Sequence, residues 1–397
     1  MTEMVPKKTI KDVDMRGKRV LVRVDFNVPV NDAGEITDDS RIRLSLPTIN
    51  YLREQGAAVI ACSHFGRPGG KVVDKERLTP MRRRLGELLG AEVLDAGGPA
   101  GPQPARVATA MKAGQVALLE NLRFDPGEEK NDDVFAASLA SLADIYVDDA
   151  FAAAHRAHAS VVGVANRLPA VAGLLMAREI EMLSAALNVS ARPAIAIVGG
   201  AKVADKIQVL THLAPRMDAL LIGGGMVAAF FKAKGMGSGK TDVTPAEVEA
   251  AERLLAASKP AVMLPADVLV ATVFSADAKA QTVAASAVPA DALILDIGPQ
   301  ARKAYAAEIA GARVVIWNGP MGVFEWPQFA EGTKAVAQAV AANRAATTVV
   351  GGGSTAEVVE RMGLRDRFTH VSTGGGASLE FLEGKVLPGV AALLDRS

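Results

Sequence analysis

Short runs of aliphatic and β-branched residues recur along the chain, separated by longer stretches rich in Ala and Leu. Strands are predicted at Arg19–Val24, Ala58–Ala61, Val116–Leu119 and Ile145–Val147. Further strands are predicted at Ala194–Val198, Ala219–Ile222, Ala261–Leu264, Arg313–Trp317 and Thr347–Val350. Most of these runs are continuously apolar instead of alternating, which suits strands buried on both faces of a parallel sheet. Helical stretches between them imply repeated βαβ units. So many strands are housed more economically in two sheets than in one. Leu168-Pro169 breaks regular structure, Leu174–Leu183 reads as a helix, and Arg192-Pro193 opens a new strand. The expected architecture is therefore α/β, with two doubly wound parallel-sheet lobes over 1–170 and 171–380. The helix within 165–192 is expected to be a stiff connector.

Composition narrows the function classes. The length of 397 residues suits two or three domains. Half the residues are apolar and 22% are charged, which is globular composition with ample core material. Lys plus Arg and Asp plus Glu number 44 each. No global positive excess points to nucleic acid or to an anionic membrane, so anion binding must come from local clusters. Cys62 is the one cysteine, which excludes an intrachain disulfide and a cysteine-rich zinc site and fits a reducing compartment. The first residues are not followed by the apolar run of a signal peptide, and no run of about 18 uncharged apolar residues exists. A soluble, cytoplasmic protein is expected.

Ligands of open α/β sheets bind beyond the carboxyl ends of the strands, so the residues after each strand carry the chemistry. In the first half these are Asp25 and Asn27, with Arg41 and Arg43 further on. Then come Ser63-His64-Phe65-Gly66-Arg67-Pro68, Glu120-Asn121-Leu122-Arg123, and Asp148-Asp149 with His155-Arg156-Ala157-His158. Guanidinium groups bind carboxylate and phosphate bidentately. Each arginine alone reads as an ordinary surface residue; together, each after a strand, they point to a pocket for a small, strongly anionic molecule. Asp25 and Asn27 also suit an Asx turn. His155 and His158 have no third ligand of matching kind nearby, so phosphate contact or capping is preferred to a metal site.

The second half is built differently. Its strands are followed by Gly199-Gly200-Ala201-Lys202 with Lys206, Gly223-Gly224-Gly225, Asn318-Gly319-Pro320, Gly351-Gly352-Gly353-Ser354-Thr355 and Gly374-Gly375-Gly376. Glycine lets backbone N–H groups approach phosphates, and helix N-termini add favourable partial charge. Lys202 and Lys206 are expected on one helix face, both within reach of a phosphate chain. Gly235–Thr241 looks like a P-loop but has Lys234 where the first glycine belongs, and it follows a helix-like stretch; a surface loop is expected. Neither half has a Gly-x-Gly-x-x-Gly fingerprint after its first strand, which argues against a dinucleotide dehydrogenase.

These runs, in order from about residue 10 to the C-terminus, resemble the phosphoglycerate kinase family. The resemblance rests on Arg23-Val-Asp25-Phe-Asn27, Arg41-Ile-Arg43, Ser63-His64-Phe-Gly66-Arg67-Pro68, Glu120-Asn121-Leu-Arg123-Phe124 and Asp148-Asp-Ala-Phe151 with His155-Arg156-Ala-His158-Ala-Ser160. It continues in Gly199-Gly-Ala-Lys202-Val-Ala-Asp205-Lys206, Trp317-Asn318-Gly319-Pro320, Gly322-Val-Phe324-Glu325, Gly351-Gly-Gly353 and Ser372–Ser378.

The resemblance implies reversible phosphoryl transfer between 1,3-bisphosphoglycerate and ADP, giving 3-phosphoglycerate and ATP. It implies substrate contacts at Asp25, Asn27, Arg41, His64, Phe65, Gly66, Arg67, Arg123 and Arg156. Nucleotide contacts are implied at Lys202, Lys206, Gly224, Asn318, Glu325, Gly352, Gly353, Ser354 and Thr355. Arg41 and Lys202 are expected at the transferring group. The resemblance further implies Mg2+, a monomer, and a C-terminal tail, from about 381 to 397, packed back on the first lobe. The family usually has Asp where this chain has Ser354, at the Mg2+ of the nucleotide. A kinase for another small carboxylic acid, or a non-catalytic nucleotide-binding regulator of the same fold, are the other readings of these residues.

Overall fold

The computed structural model describes residues 5–204, 206–257 and 259–396. The chain divides into two compact units, Met1–Glu181 with Val386–Ser397, and Met182–Lys385. The division falls inside the helix Leu174–Leu187, which therefore belongs to both units.

The first unit is built on a six-stranded parallel sheet in the order β3-β4-β2-β1-β5-β6. Its strands are β1 Arg19–Arg23, β2 Ala58–Cys62, β3 Val93–Asp95, β4 Val116–Leu118, β5 Ile145–Asp148 and β6 Ala170–Ala172. The two central strands, β1 and β2, carry the apolar runs because helices cover both faces of the sheet. Val20, Leu21, Val22, Val59 and Ala61 are fully buried. Each large aliphatic side chain removed from water contributes about 1.5–3 kcal/mol. β3 and β6 have three residues each and lie at the edges, too short to stand out as apolar runs. β1 pairs β2 and β5 in register, setting Arg23 opposite both Cys62 and Asp148. The carboxyl ends of three strands thereby meet at one edge of the sheet. The C-terminal segment returns to this unit: Leu394 N donates to Ala170 O at 2.9 Å, and Lys8 N donates to Leu394 O at 2.8 Å. The segment from Val386, after the helix Gly376–Leu382, belongs to this unit.

The second unit has a parallel sheet in the order β15-β14-β13-β7-β8-β9. Its strands are β7 Ala194–Val198, β8 Ala219–Ile222, β9 Ala261–Met263, β13 Val314–Asn318, β14 Thr347–Gly351 and β15 His370–Val371. A separate antiparallel sheet, β11-β10-β12, is formed by β10 Asp267–Ala271, β11 Gln281–Ala284 and β12 Leu293–Ile297. Apolar-run reading does not find it: β11 is mostly exposed, and β12 carries the buried Asp296 in its interior. The Gly235–Thr241 stretch lies outside regular secondary structure after the helix Val227–Ala233, with Lys240 N donating to Ala292 O. It is not a P-loop.

Candidate functional site

In the first unit the residues beyond the strand ends interlock. Asp25 closes an Asx turn by accepting from Asn27 N at 3.1 Å, and its other oxygen pairs with Arg41 Nη1. Asn27 Oδ1 accepts from Gly66 N at 3.0 Å. Arg123 Nη1 donates to Gly66 O at 2.6 Å, and Arg123 Nε lies 3.0 Å from Glu129. Asn121, fully buried, holds the two basic loops together. Its Oδ1 accepts from Phe65 N and Arg123 N, each at 3.1 Å, while its Nδ2 donates to Phe65 O and Glu76 O. Arg67 is exposed and forms no ion pair with a carboxylate among the described residues. Arg156 Nε points at His155 Nε2, 3.3 Å away. The cluster therefore carries more guanidinium charge than its own carboxylates neutralise, as a site for a multiply anionic ligand must.

Beneath it lies a second layer of buried charge. Arg23, 1% exposed, donates from Nε to Ser160 Oγ at 3.0 Å and from Nη2 to His64 Nδ1 at 3.0 Å. Ser160 donates to Glu128 Oε1 at 2.6 Å through Oγ and to Oε2 at 2.9 Å through N. Burial pushes the Glu128 carboxyl up, but the His158 ring 3.7 Å away, the nearby Arg23 and the Ser160 bonds outweigh that and hold it below the usual range. Burial, then the guanidinium groups of Arg23, Arg123 and Arg156, hold His64 well below its ordinary value. On the same sheet edge, burial raises Asp148 to about 6 and Asp149 to about 7. Asp149 Oδ1 accepts from Leu175 N and Met176 N, capping the helix shared by the two units.

In the second unit the glycine runs divide by role. A Cβ at Gly224, where φ is +70°, would stand 2.5 Å from Gly200 O, so this glycine serves loop-to-loop packing. Gly352, at φ +90°, turns the chain from β14 into the helix Gly353–Arg361, and a Cβ there would come nearest to Asn318 Nδ2, at 3.2 Å. That helix has no side-chain cap hydrogen bond and no acid in its first turn, so no side chain there offsets the partial positive charge of its leading amides. Asn318, fully buried at the end of β13, accepts from Lys206 Nζ at 2.6 Å, and its Nδ2 has no hydrogen-bond partner among the described residues. Thr355 is buried, and its hydroxyl accepts from Gly319 N at 2.7 Å, so it ties two loops together. Lys202 and Lys206 do not share a helix face. The helix begins at Ile207, Lys206 is its cap residue and Lys202 lies in the preceding loop, whose direction is set by Gly200 at φ +137°. Asp205 lies outside the described residues. Glu325 and Ser354 are exposed. Among the described residues no group of three His, Cys, Asp or Glu side chains is placed to hold a metal ion.

The family model described as phosphoglycerate kinase matches residues 10–385. The phosphoglycerate kinase of Moorella thermoacetica is 56% identical over 393 residues, covering 98% of this chain and 100% of the relative. That of Chloroflexus aurantiacus is 54% identical over 396 residues, covering 98% and 99%. Among solved structures, phosphoglycerate kinase from Coxiella burnetii superposes with a TM-score of 0.87 at 41% identity, covering 98% of each chain. The Pyrococcus horikoshii enzyme gives 0.84 at 34% identity, covering 97% of this chain and 98% of that one. The chain belongs to the phosphoglycerate kinase family. It is a kinase, and these relatives do not favour an acid kinase of another kind or a non-catalytic regulator.

With the family in place, the residues that reading the sequence left without a role are Arg23, Asn121, Glu128 and Ser160. The signal available was chemical: Arg23 is a charge at the carboxyl end of a central strand whose middle is apolar. Such a residue is almost never fully buried unless it is paired.

Proposed function

We propose that this chain catalyses reversible phosphoryl transfer between 1,3-bisphosphoglycerate and ADP, giving 3-phosphoglycerate and ATP. The observation that carries the reading is the under-neutralised guanidinium cluster of Arg41, Arg67, Arg123 and Arg156, wired through Asp25, Asn27 and Asn121. A protein that only bound nucleotide has no need of it. Asp25, Asn27, His64 and the Phe65-Gly66-Arg67 loop hold the body of the acid. Arg67, Arg123 and Arg156 take its far phosphate.

The nucleotide phosphates are held by Lys202, Lys206 and Asn318. Gly352, Gly353, Ser354 and Thr355 support them with the open amides of their helix, Gly224 with a close-packed loop, and Glu325 takes the ribose. The donor set suits a Mg2+ that arrives on the nucleotide: one exposed hydroxyl at Ser354 and, among the described residues, no carboxylate cage, a pattern that fits an ion keeping several of its waters. When bound, Mg2+ neutralises charge on the phosphates. No general base is required, because the attacking oxygen of ADP, or of the substrate carboxylate in reverse, is already an anion. Arg41 and Lys202 pair with the transferring group, and their task is alignment and charge stabilisation.

Arg41 lies in the first unit and Lys202 in the second, and a closing motion during the reaction is part of this reading. Small-angle scattering should show compaction only when both substrates are present; no compaction with both bound removes the closure step. Cytoplasmic location and a monomeric state belong to the same reading. Calorimetric titration with 3-phosphoglycerate tests the substrate half. Binding without nucleotide, weakened about tenfold or more in Arg67→Ala, supports it; equal affinity in the two proteins removes Arg67 from the site.

A further inference from the structure

His64 sits 7% exposed at the floor of the guanidinium cluster, and its ring nitrogens are not equivalent. Nδ1 lies 3.0 Å from Arg23 Nη2. A guanidinium group has only N–H donors and stays charged at any physiological pH. Nδ1 must therefore accept, and the ring proton must reside on Nε2.

Arg23 is itself fixed from three directions. Nη1 donates to Val24 O at 2.5 Å, Nε donates to Ser160 Oγ at 3.0 Å, and β1 pairs with strands on both sides. Ser160 passes the interaction on to Glu128, which is fully buried and accepts from both the hydroxyl and the amide of Ser160. The cations facing His64 are Arg23, Arg123 and Arg156, with the His158 ring beside them, and these surroundings disfavour an imidazolium. Glu128 is engaged by Ser160 and lies 3.7 Å from His158 Nδ1, and the buried Asp148 stands opposite Arg23 on the neighbouring strand.

We propose that Arg23, anchored to Glu128 through Ser160, is a positioning residue that locks His64 as the neutral Nε2–H tautomer. His64 then gives the substrate an uncharged N–H donor throughout the working pH range. This deepens the substrate reading above and rests on it for the identity of the acceptor, but the tautomer itself is a property of the ligand-free protein. A neutral donor has a distinct use here. It orients a carboxylate or phosphate oxygen without adding one more cation to a site already rich in them, so product is not held too tightly.

The test is nitrogen-15 NMR of the histidine rings, with His64 assigned by the signal lost in His64→Gln. The native protein should show His64 with Nδ1 unprotonated and Nε2 protonated, unchanged from about pH 5 to pH 8, the range in which an ordinary histidine titrates. In Arg23→Met/Glu128→Gln, which removes both buried charges together, His64 should populate both tautomers and begin to titrate. The KM for 3-phosphoglycerate should rise roughly tenfold, the scale of one lost oriented hydrogen bond, and should acquire a pH dependence absent from the native enzyme. A native His64 that carries the proton on Nδ1, or that titrates in this range, overturns the proposal. So does an Nε2–H ring that persists unchanged in the folded double variant. If the double variant does not fold, the native ring signal decides alone. Absence of turnover with 3-phosphoglycerate, alongside the expected ring signal, would count against the substrate reading and leave the tautomer lock standing.

Discussion

Lys206 Nζ donates to Asn318 Oδ1 at 2.6 Å, and the Nδ2 of the same amide is buried without an acceptor. An ammonium group can only donate, so the lysine fixes which way the amide points and leaves its N–H groups turned to the glycine loop at Gly352. A buried, oriented donor lacking a partner costs about 1–3 kcal/mol until something accepts from it. A nucleotide phosphate is such an acceptor. Asn318→Ala should therefore raise the KM for ATP about tenfold or more while leaving the KM for 3-phosphoglycerate near its native value. Equal effects on the two substrates would mean that Asn318 supports the fold and not the nucleotide.

Asn121 makes four hydrogen bonds that join the Phe65-Gly66 loop, the Glu76 segment and the Arg123 turn. In Asn121→Ala two buried N–H groups and two carbonyls lose their partner. The expected loss is about 2–3 kcal/mol of stability, read from denaturant midpoints. Affinity for 3-phosphoglycerate should fall beyond what the unfolded fraction explains. A stable Asn121→Ala protein with native affinity contradicts the role given to this amide.

Ser354 is exposed in the first turn of a helix that carries no acid there. Introducing a carboxylate at this position supplies a charged oxygen ligand to nucleotide-bound Mg2+ and suits the helix N-terminus. Ser354→Asp should lower the Mg2+ concentration needed for half-maximal rate several-fold. Identical Mg2+ dependence in the two proteins means that the side chain at 354 does not reach the ion.

Asp149 is buried, with Oδ2 unpartnered and its pKa raised to about 7. Its folded value lies above the unfolded value of about 3.9, so the folded state binds the proton more tightly. That contribution to stability is fully present below about pH 4 and is lost as the pH rises through about 7. Asp149→Asn keeps an oxygen to accept from Leu175 N and Met176 N but cannot ionise. The melting temperature of the variant should depend less on pH between these limits than that of the native protein. An unaltered slope would locate the titration elsewhere, with Asp148, raised to about 6, as the neighbouring group.

The two parallel sheets were legible in the sequence because buried central strands read as unbroken apolar runs. β3, β6 and β15 were not, being edge strands of two or three residues. The antiparallel β10–β12 sheet was missed because β11 is largely exposed and Asp296 interrupts β12. The arginines of the first-unit cluster were visible as polar residues following strands. Arg23 was not, since its role depends on a strand register that sets it opposite Cys62 and Asp148, and on contacts with Ser160 and His64 far along the chain. Lys202 and Lys206 were placed on one helix face by spacing alone, whereas the glycines before them hold Lys202 in a loop. Local glycine chemistry outweighed helical periodicity there.

The central claim is phosphoryl transfer aligned by the guanidinium cluster, and it is tested by ATP-dependent phosphorylation of 3-phosphoglycerate followed through a coupled dehydrogenase. The account predicts turnover by the native chain and a fall in kcat of about 10²-fold or more in Arg41→Ala, the scale of a lost transition-state contact. A folded native protein that binds both substrates without turnover, or an Arg41→Ala enzyme with native kcat, would contradict it.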